Sequence, residues 1–329
     1  MTRLSPFALA RRAALFGAAA LLAATATQTA VAQDYPAREI HVICGYDAGT
    51  GADVIVRYFA DKLGALAGKP TIVENKGGAL TAIAAKYVAQ SKPDGYTLFI
   101  TAGNSTMSAN SYIFKNPTYD PVKDFTPVTT LLQLPFLLAT SPKLAPKNVA
   151  ELTAYLKAKG DKVTYGQANS FGIAAGELYK KIAGFNGVSV AYRSTPLAFT
   201  DMNGGQIDFI FADATFGLEQ AKSGNIRALA TTKKLSAAPE IPTMAEAGVA
   251  GFDLIAWWAA WAPAGTPQPI VDKLAGWLNQ IVAAPEAKEF MLRNGAEPFP
   301  GNAKLLAEHQ VKDTALWVSL LKAANFEQQ

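Results

Sequence analysis

Strand-like and helix-like segments alternate along most of this chain, and their order limits the possible folds more than any other feature. Ile40–Cys44 is a short run of apolar, mainly β-branched residues, and the apolar side chains of Asp53–Leu66 recur at helical spacing. Thr71–Val73 and Tyr96–Thr101 are typical of further strands, and Ala79–Gln90 between them is typical of a helix. A β-α-β-α-β order of this kind predicts a parallel sheet covered by helices.

The alternation stops after the third strand and then resumes. Asn116–Pro127 carries three prolines, which is typical of an extended connector, and Leu131–Thr140 is an apolar strand placed to cross between two lobes. Strands and helices alternate again over residues 149–231. Three amphipathic helices are predicted near the end of the chain: Gln268–Val282, Pro285–Asn294 and Asn302–Ala324.

These two α/β units predict two lobes with a cleft between them. We assign residues 33–133 and 255–329 to lobe 1 and residues 134–254 to lobe 2. In open parallel sheets, ligands bind at the carboxyl ends of the strands, where helix N-termini point backbone amides outward. The loops at those ends are therefore the predicted location of a binding site.

The first 32 residues are predicted to be a signal peptide. Three arginines fall within the first twelve residues, an Ala-rich apolar run covers residues 13–24, and Ala30-Val31-Ala32 places small residues at the cleavage positions. The apolar run is shorter than the roughly 20 residues that a membrane span needs. We expect export to the periplasm with cleavage after Ala32, by the general or the twin-arginine route.

Composition excludes several function classes. Removal of the three arginines of the signal peptide lowers the net charge from +4 to about +1 (4 − 3 = 1), so the mature chain has no electrostatic case for binding nucleic acid. Cys44 is the single cysteine, and His41 and His309 are the only histidines. His41 and Cys44 share a predicted strand at odd spacing, so their side chains point to opposite faces. We predict no catalytic residue, no metal site and no cofactor.

The loop Gly45–Asp53 joins the first strand to the first helix and is rich in glycine and small residues. Backbone amides at the start of a helix favour an anion. A dinucleotide fingerprint would need glycine at the position of Val54, and the Gly-Lys-Ser/Thr of a nucleotide phosphate loop is absent. Asp53 is expected to be the N-cap of the helix. The ligand-binding candidates in this loop are Tyr46, Asp47, Gly49, Thr50, Gly51 and Ala52.

Two further polar loops follow predicted strands. Asn104 and Ser105 follow the third strand; Ser105 lacks the closing glycine of a nucleophile elbow and a histidine to activate it, so hydrogen bonding to a ligand is the better interpretation. In the second unit, Gln167, Asn169 and Ser170 lie between a strand and a helix. Helix capping alone and direct contact with a ligand explain these three residues equally well.

Arg193, Asp213 and Thr215 complete the set of candidate residues. Arg193 follows a strand and can meet a carboxylate as a forked donor, although an ordinary surface arginine is as good an explanation. Asp213 and Thr215 stand at the carboxyl end of a strand and are expected to line the cleft, whereas Asp208 is expected to close the Gly204-Gly205 turn. Because these loops hold no base, nucleophile or metal cluster, they favour binding over turnover.

The same segments carry a resemblance to a known family. From about Tyr35 to its end, the chain resembles the substrate-binding proteins of tripartite tricarboxylate transporters, the Bug family. The matching stretches are Tyr35-Pro36, Val73-Glu74-Asn75 before a Gly-Gly turn, Lys92-Pro93-Asp94-Gly95-Tyr96-Thr97-Leu98, Gly204-Gly205-Gln206-Ile207-Asp208, Ile241 to Gly248, and Ala262 to Pro267. In this order they form a highly specific pattern.

The resemblance implies a two-lobed Venus-flytrap fold of the periplasmic-binding-protein type II class, carboxylates as ligands, and delivery of the solute to a membrane permease. It implies that residues 46–53 hold one carboxylate, often through ordered waters, and that residues 167–170 meet the other end of the ligand. One departure is Asp47, since an inward-facing carboxylate would repel an anionic ligand. We expect Asp47 to face solvent or to bond its own loop; the alternative is a ligand that carries an ammonium or hydroxyl group.

The sequence thus predicts a periplasmic solute-binding protein, not an enzyme, that captures a small mono- or dicarboxylic acid for a tripartite tricarboxylate-type transporter. The expected partners are the carboxylate and the permease subunits, and the chain is expected to be a monomer. Two other hypotheses stay open. One is a ligand-presenting component of a periplasmic sensing system, and the other is a secreted hydrolase that uses Ser105 or Asp213.

Overall fold

The computed structural model describes residues 35–252, 254–323 and 326–328. The chain divides into two units, Met1–Arg38 and Glu39–Gln329. The predicted signal peptide, residues 1–32, lies outside the described residues, and residues 35–38 hold no helix or strand. The second unit contains two β-sheets and the helices that cover them.

Strands and helices alternate through the second unit as the sequence predicts. The strands are β1 (Ile40–Cys44), β2 (Thr71–Asn75), β3 (Thr97–Ala102), β4 (Phe125–Leu134), β5 (Phe136–Thr140), β6 (Thr164–Gln167), β7 (Val188–Ala191), β8 (Phe209–Asp213), β9 (Arg227–Thr231), β10 (Ala256–Pro263) and β11 (Glu297–Pro298). The α-helices are α1 (Gly51–Ala67), α2 (Ala82–Ala89), α3 (Asn110–Ile113), α4 (Val149–Lys159), α5 (Ser170–Ala183), α6 (Thr195–Asn203), α7 (Ala214–Lys222), α8 (Gln268–Ala283), α9 (Pro285–Arg293) and α10 (Ala303–Ala323).

The strands form two mixed sheets, one in each half of the fold. The first sheet has the order β11-β4-β10-β3-β1-β2 and the second has the order β7-β6-β8-β5-β9. The predicted parallel pairing is present where strand-helix-strand units occur: β1 lies parallel to β2 and β3, and β6 lies parallel to β7 and β8. The strands that approach the junction of the sheets, β4, β5 and β10, pair antiparallel.

The chain first passes between the sheets at Pro135. β4 ends at Leu134 in the first sheet and β5 begins at Phe136 in the second, so the predicted crossing strand is confirmed but consists of two strands. β4 also begins earlier than the sequence suggested, at Phe125. The predicted connector ended at Pro127, which lies inside β4 opposite Trp261, beside a register shift in the pairing with β10. A strand tolerates proline at such an irregularity because no regular ladder hydrogen bond is lost there.

The three predicted tail helices are confirmed as α8, α9 and α10, with bounds that differ by one residue in the described part of the chain. α8 and α10 pack against β4 of the first sheet. The core on the α10 side of this sheet is aromatic: Trp257 and Trp261 of β10 are fully buried in one cluster with Phe99 and with Leu306 of α10. No helix within residues 35–252, 254–323 and 326–328 has the length and apolar character needed to span a membrane.

Candidate ligand-binding site

A cavity of about 300 Å³ lies where the strand ends of the two sheets face each other. A volume of this size is at the lower end of small-molecule sites and equals the liquid volume of about ten waters. Its lining comes from both sheets: Gly45, Tyr46, Gly77 to Thr81, Ser105, Gln167 to Ser170, and Ala191 to Arg193. A smaller cavity of about 40 Å³ adjoins it and shares Tyr46, Ser105, Ala168, Asn169 and Arg193.

The loop before α1 is held rigidly by Thr50 and Asp53. The hydroxyl of Thr50 accepts a hydrogen bond from the Asp53 amide at 3.3 Å, so Thr50 is the N-cap and the predicted cap role of Asp53 is wrong. Asp53 instead accepts hydrogen bonds from the Gly49 amide, the Arg57 guanidinium and the Asn75 amide group at 2.8–3.0 Å. Burial opposes the charge of Asp53, but these donors outweigh it and lower the pKa of the carboxyl.

Of the loop's predicted ligand contacts, some reach the cavities and others do not. Tyr46 lines both cavities and packs against Trp258 with ring centroids 5.7 Å apart, and Thr50 and Ala52 line the smaller one. Gly49 is exposed, and Gly51 lies against Asp213. Neither glycine lines either cavity, so this geometry gives no support to their predicted contact with a ligand.

A second loop of the first sheet, Gly77–Thr81, lines the larger cavity and was missed by the sequence analysis. Ala79, Leu80 and Thr81 have φ values of +46°, +50° and +75°, a left-handed run that is strained for residues with side chains, most of all for β-branched Thr81. The loop is fixed from behind, since Thr81 bonds the Thr106 hydroxyl at 2.8 Å. Strain of this kind concentrates at functional sites. The Gly77-Gly78 pair, separated by one residue from the end of β2, was the available signal.

Ser105 and Asn104 lie on a π-helical segment, Gly103–Ala109, that follows β3. Ser105 lines both cavities. Asn104 is fully buried behind them, where its side-chain oxygen accepts a hydrogen bond from the Trp257 amide at 3.3 Å. The predicted ligand contact of Asn104 is therefore not provided by this geometry, because its side chain holds β10 instead.

The second sheet contributes Gln167, Asn169 and Ser170 at the start of α5. The Asn169 side chain accepts from the Gly172 amide at 2.8 Å, which confirms the predicted capping role, and Asn169 also lines both cavities. Ser170 donates to Asn110, which belongs to the first half of the fold. The amide oxygen of Gln167 is buried and has no hydrogen-bond partner among the described residues. Such an unpaired group at a cavity wall favours a polar ligand atom beside it.

A further helix start at the site was also missed. Ser194 precedes α6 and makes no side-chain capping bond, and Ser194 and Thr195 line the smaller cavity. The first turn of a helix leaves backbone N–H groups without intrahelical partners. The N-termini of α1, α5 and α6 therefore border the two cavities, and all three ends favour negative charge.

Asp47 and Arg193 occupy positions that the sequence did not predict. Nε of Arg193 lies 2.8 Å from one carboxylate oxygen of Asp47, and Nη2 donates to the other at 3.2 Å. The prediction that Asp47 faces solvent or bonds its own loop is wrong, because its carboxylate is held by an arginine 146 positions away on the second sheet. Arg193 is a forked donor as proposed, but to a carboxylate of the protein itself.

The acidic side chains near β8 have structural partners. Asp213 caps α7 by accepting from the Phe216 amide at 3.0 Å and lines the smaller cavity, and burial raises the pKa of its carboxyl. Thr215 lines neither cavity and donates to the carbonyl of Asn294. Asp208 does not close a glycine turn: it accepts from Lys159, Tyr155 and the Thr164 amide, which anchors β6 to α4.

The described residues that line the cavities offer few groups for catalysis or metal binding. No group of three or more His, Cys, Asp or Glu residues in the described part of the chain could hold a metal ion. None of the described residues that line either cavity is a histidine, so Ser105 has no imidazole partner there. His309 lies elsewhere, edge-on to Trp257 with ring centroids 4.7 Å apart, and burial lowers its pKa.

Residues 55–326 match the family described as the tripartite tricarboxylate transporter family receptor, TctC. A UPF0065 protein of Bordetella bronchiseptica is 35% identical over 318 residues, which cover 94% of this chain and 92% of that protein. The match therefore extends over nearly the whole length of both chains.

Solved structures show the same likeness. The periplasmic binding protein BugD has a TM-score of 0.84 at 32% identity, with 90% of this chain and all of that chain covered. Rpa4515 of R. palustris with adipate has a TM-score of 0.86 at 28% identity, with coverage of 90% and 100%. MatC of Rhodopseudomonas palustris with bound malate has a TM-score of 0.82 at 27% identity, with coverage of 87% and 100%. The fold is thus that of two-lobed periplasmic binding proteins.

Proposed function

This chain belongs to the receptor family of tripartite tricarboxylate transporters, and from that premise we propose that it captures a small carboxylic acid between its two lobes. The observation that carries the proposal is the convergence of the N-termini of α1, α5 and α6 on one pair of cavities. Two of these helices follow strands of the second sheet and one follows a strand of the first. An anion between them receives amide donors and favourable helix dipoles from both sides.

The contacts proposed for the carboxylate are backbone amides and neutral polar side chains. Ser105 comes from the first sheet, and Gln167, Asn169 and the amides at the start of α5 come from the second. The related proteins with adipate and malate support an organic acid as the ligand class. Because Ser105 lacks a base and Asp213 is occupied as a helix cap, we propose binding without turnover.

Closure of the cleft is proposed to be a rotation of the lobes about the strand crossings near Pro135 and residues 232–255. Lobe 1 is then 33–133 with 255–329 and lobe 2 is 134–254, except that Leu134 still pairs with Ala256 in the first sheet. Only a ligand that contacts both lobes shifts such an equilibrium. We further propose that residues 1–32 are a signal peptide, that the chain is exported to the periplasm, and that it delivers its solute to a membrane permease.

The ligand class is tested by thermal-shift screening of the mature chain against small organic acids and neutral sugars. We expect organic acids to raise the unfolding temperature and sugars to leave it unchanged, since binding to the folded state alone stabilises a protein. Native mass spectrometry of the protein purified from cells then identifies any acid that it carries. Stabilisation by a neutral sugar and by none of the acids would contradict the proposal.

A further inference from the structure

The ion pair of Asp47 and Arg193 spans the cavity on the side away from the strand crossings. Asp47 follows β1 and Arg193 follows β7, whereas the chain crosses between sheets at β4 and β5. β1 is three strands from β4 and β7 is three strands from β5. The Arg193 side chain is 67% exposed, so the pair stands at the solvent-facing opening.

The cation on the cavity walls is already paired within the protein. Arg193 is the only charged side chain among the described residues that line the larger cavity, and Asp47 holds two of its nitrogens. The smaller cavity adds Asp47 and Asp213, which are both acidic. A ligand carboxylate at the helix N-termini therefore has amide donors, but a second carboxylate at the opening meets no unpaired cation among the described residues that line the cavities.

We propose that Asp47 makes this site selective for monocarboxylates over dicarboxylates, because its carboxylate already pairs with the guanidinium of Arg193. The inference rests on the proposed function, since it requires a carboxylate in the cavity. A dicarboxylate whose second charge reaches the opening must either displace Asp47 from Arg193 or place that charge beside an existing carboxylate. Both choices cost free energy that a ligand with one carboxylate and an uncharged tail does not lose.

Gly77 keeps Asp47 in this position. A Cβ atom at Gly77 would lie 2.1 Å from an Asp47 carboxylate oxygen, so the carboxylate rests directly against the glycine backbone. Gly77 is not among the glycines with positive φ, so alanine is acceptable to the backbone. Gly77→Ala therefore moves the Asp47 carboxylate without changing any charge. It tests the position of the carboxylate, whereas Asp47→Asn tests its charge.

The test is calorimetric titration of hexanoate and adipate, which share a six-carbon chain and differ in one carboxylate. Five proteins are compared: wild type, Asp47→Asn, Gly77→Ala, Arg193→Gln and a control, Glu286→Gln. Glu286 is 60% exposed on α9 and lines neither cavity, so the control removes one negative charge away from the site. The ratio of the two affinities is the readout, because a general effect on lobe closure changes both acids alike.

We expect wild type and the control to bind hexanoate more tightly than adipate. Asp47→Asn should shift the ratio toward adipate about fivefold or more at low ionic strength, and less in about 0.5 M salt. Gly77→Ala should shift it in the same direction by less, and Arg193→Gln should shift it the other way.

Four outcomes would overturn the inference. If Asp47→Asn binds the acids in the wild-type ratio, Asp47 does not set selectivity, even when both affinities fall. Preference of wild type for adipate would contradict it equally. If neither acid binds any of the five proteins while other organic acids bind, the selectivity claim fails and the proposed function stands. Failure of every organic acid contradicts both.

Discussion

Two of the contacts between the lobes differ in burial and in chemistry. The inner contact consists of Ser170 and Phe171 of α5 against Asn110 and Trp317: Ser170 donates to Asn110, and the two rings lie 5.4 Å apart. All four side chains are buried. The outer contact is the forked pair of Asp47 and Arg193, with the arginine mainly in solvent.

The two contacts therefore have different roles. Buried packing and satisfied hydrogen bonds contribute to stability with little dependence on salt, whereas an exposed ion pair contributes little and weakens with salt. The inner contact therefore fixes how the lobes approach each other. The outer contact governs which charges are tolerated at the cavity opening.

Trp317→Ala is expected to have the largest effect. Removal of this fully buried ring leaves a cavity at the inner contact and takes away the indole N–H that donates to Asp313 at 3.1 Å. We expect a loss of about 3–5 kcal/mol in the free energy of unfolding, measured by urea denaturation. The exposed neighbour Leu316→Ala is the control, with an expected loss well under half as large. Equal losses in both variants would show that the inner contact contributes no more to stability than an exposed side chain.

Asp313 accepts a hydrogen bond from Trp317 of the inner contact, and we expect it to make the free energy of unfolding depend on pH. Burial raises the pKa of its carboxyl to about 6 from an ordinary 3.8, so the folded protein binds the proton more tightly than the unfolded chain. Stability is therefore lost as the pH rises from about 4 through 6. Asp313→Asn should be more stable than wild type above pH 7 by about 2–3 kcal/mol, with the difference shrinking toward pH 4. A difference that is independent of pH would contradict the assignment.

Gly51→Ala should weaken binding while leaving the ligand-free protein intact. A Cβ atom at Gly51 would lie 2.0 Å from a carboxylate oxygen of Asp213 on the other lobe. The lobes of the ligand-free protein can separate to relieve this overlap, but a ligand held by both lobes cannot allow it. We expect affinity to fall about tenfold or more, equal to about 1.4 kcal/mol, with little change in the unfolding temperature.

Gly276→Ala provides the control for Gly51→Ala. Gly276 lies in α8, and a Cβ atom added there would have no neighbouring atom within 4 Å, so the methyl group meets open space. Its ligand affinity should equal that of wild type. Equal affinities of Gly51→Ala and wild type would show that the bound protein does not adopt this approach of the lobes.

Arg193→Gln is expected to have the smallest effect on stability. The pair with Asp47 is exposed at the arginine end, so its loss should change the free energy of unfolding by less than about 1 kcal/mol. The change should disappear in high salt. A loss comparable to that of Trp317→Ala would mean that the outer contact, and not the inner one, holds the lobes together.

The sequence predicted local features well and contacts between distant segments poorly. Alternating strand and helix patterns, the crossing near Pro135 and the cap at Asn169 all depend on neighbouring residues, and the structure contains them. The pair of Asp47 and Arg193 joins residues 146 positions apart, which no local pattern encodes.

Backbone conformation explains another difference. The left-handed run Ala79–Thr81 was predicted as part of a helix because its residue types do not indicate positive φ values. The sequence analysis placed the N-cap at Asp53, whereas the helix starts at Gly51 and Thr50 is its cap. Such choices depend on how surrounding segments pack, as the Thr81–Thr106 hydrogen bond illustrates.

The central claim is that the cavity of about 300 Å³ holds a carboxylic acid. Its most direct test is calorimetric titration of the most stabilising acid into wild type, Ala168→Phe and Ala315→Phe. Ala168 lines both cavities, whereas Ala315 is an exposed residue of α10. We expect wild type and Ala315→Phe to bind one acid per chain with equal affinity and Ala168→Phe not to bind it. Unchanged binding by Ala168→Phe would place the ligand outside this cavity.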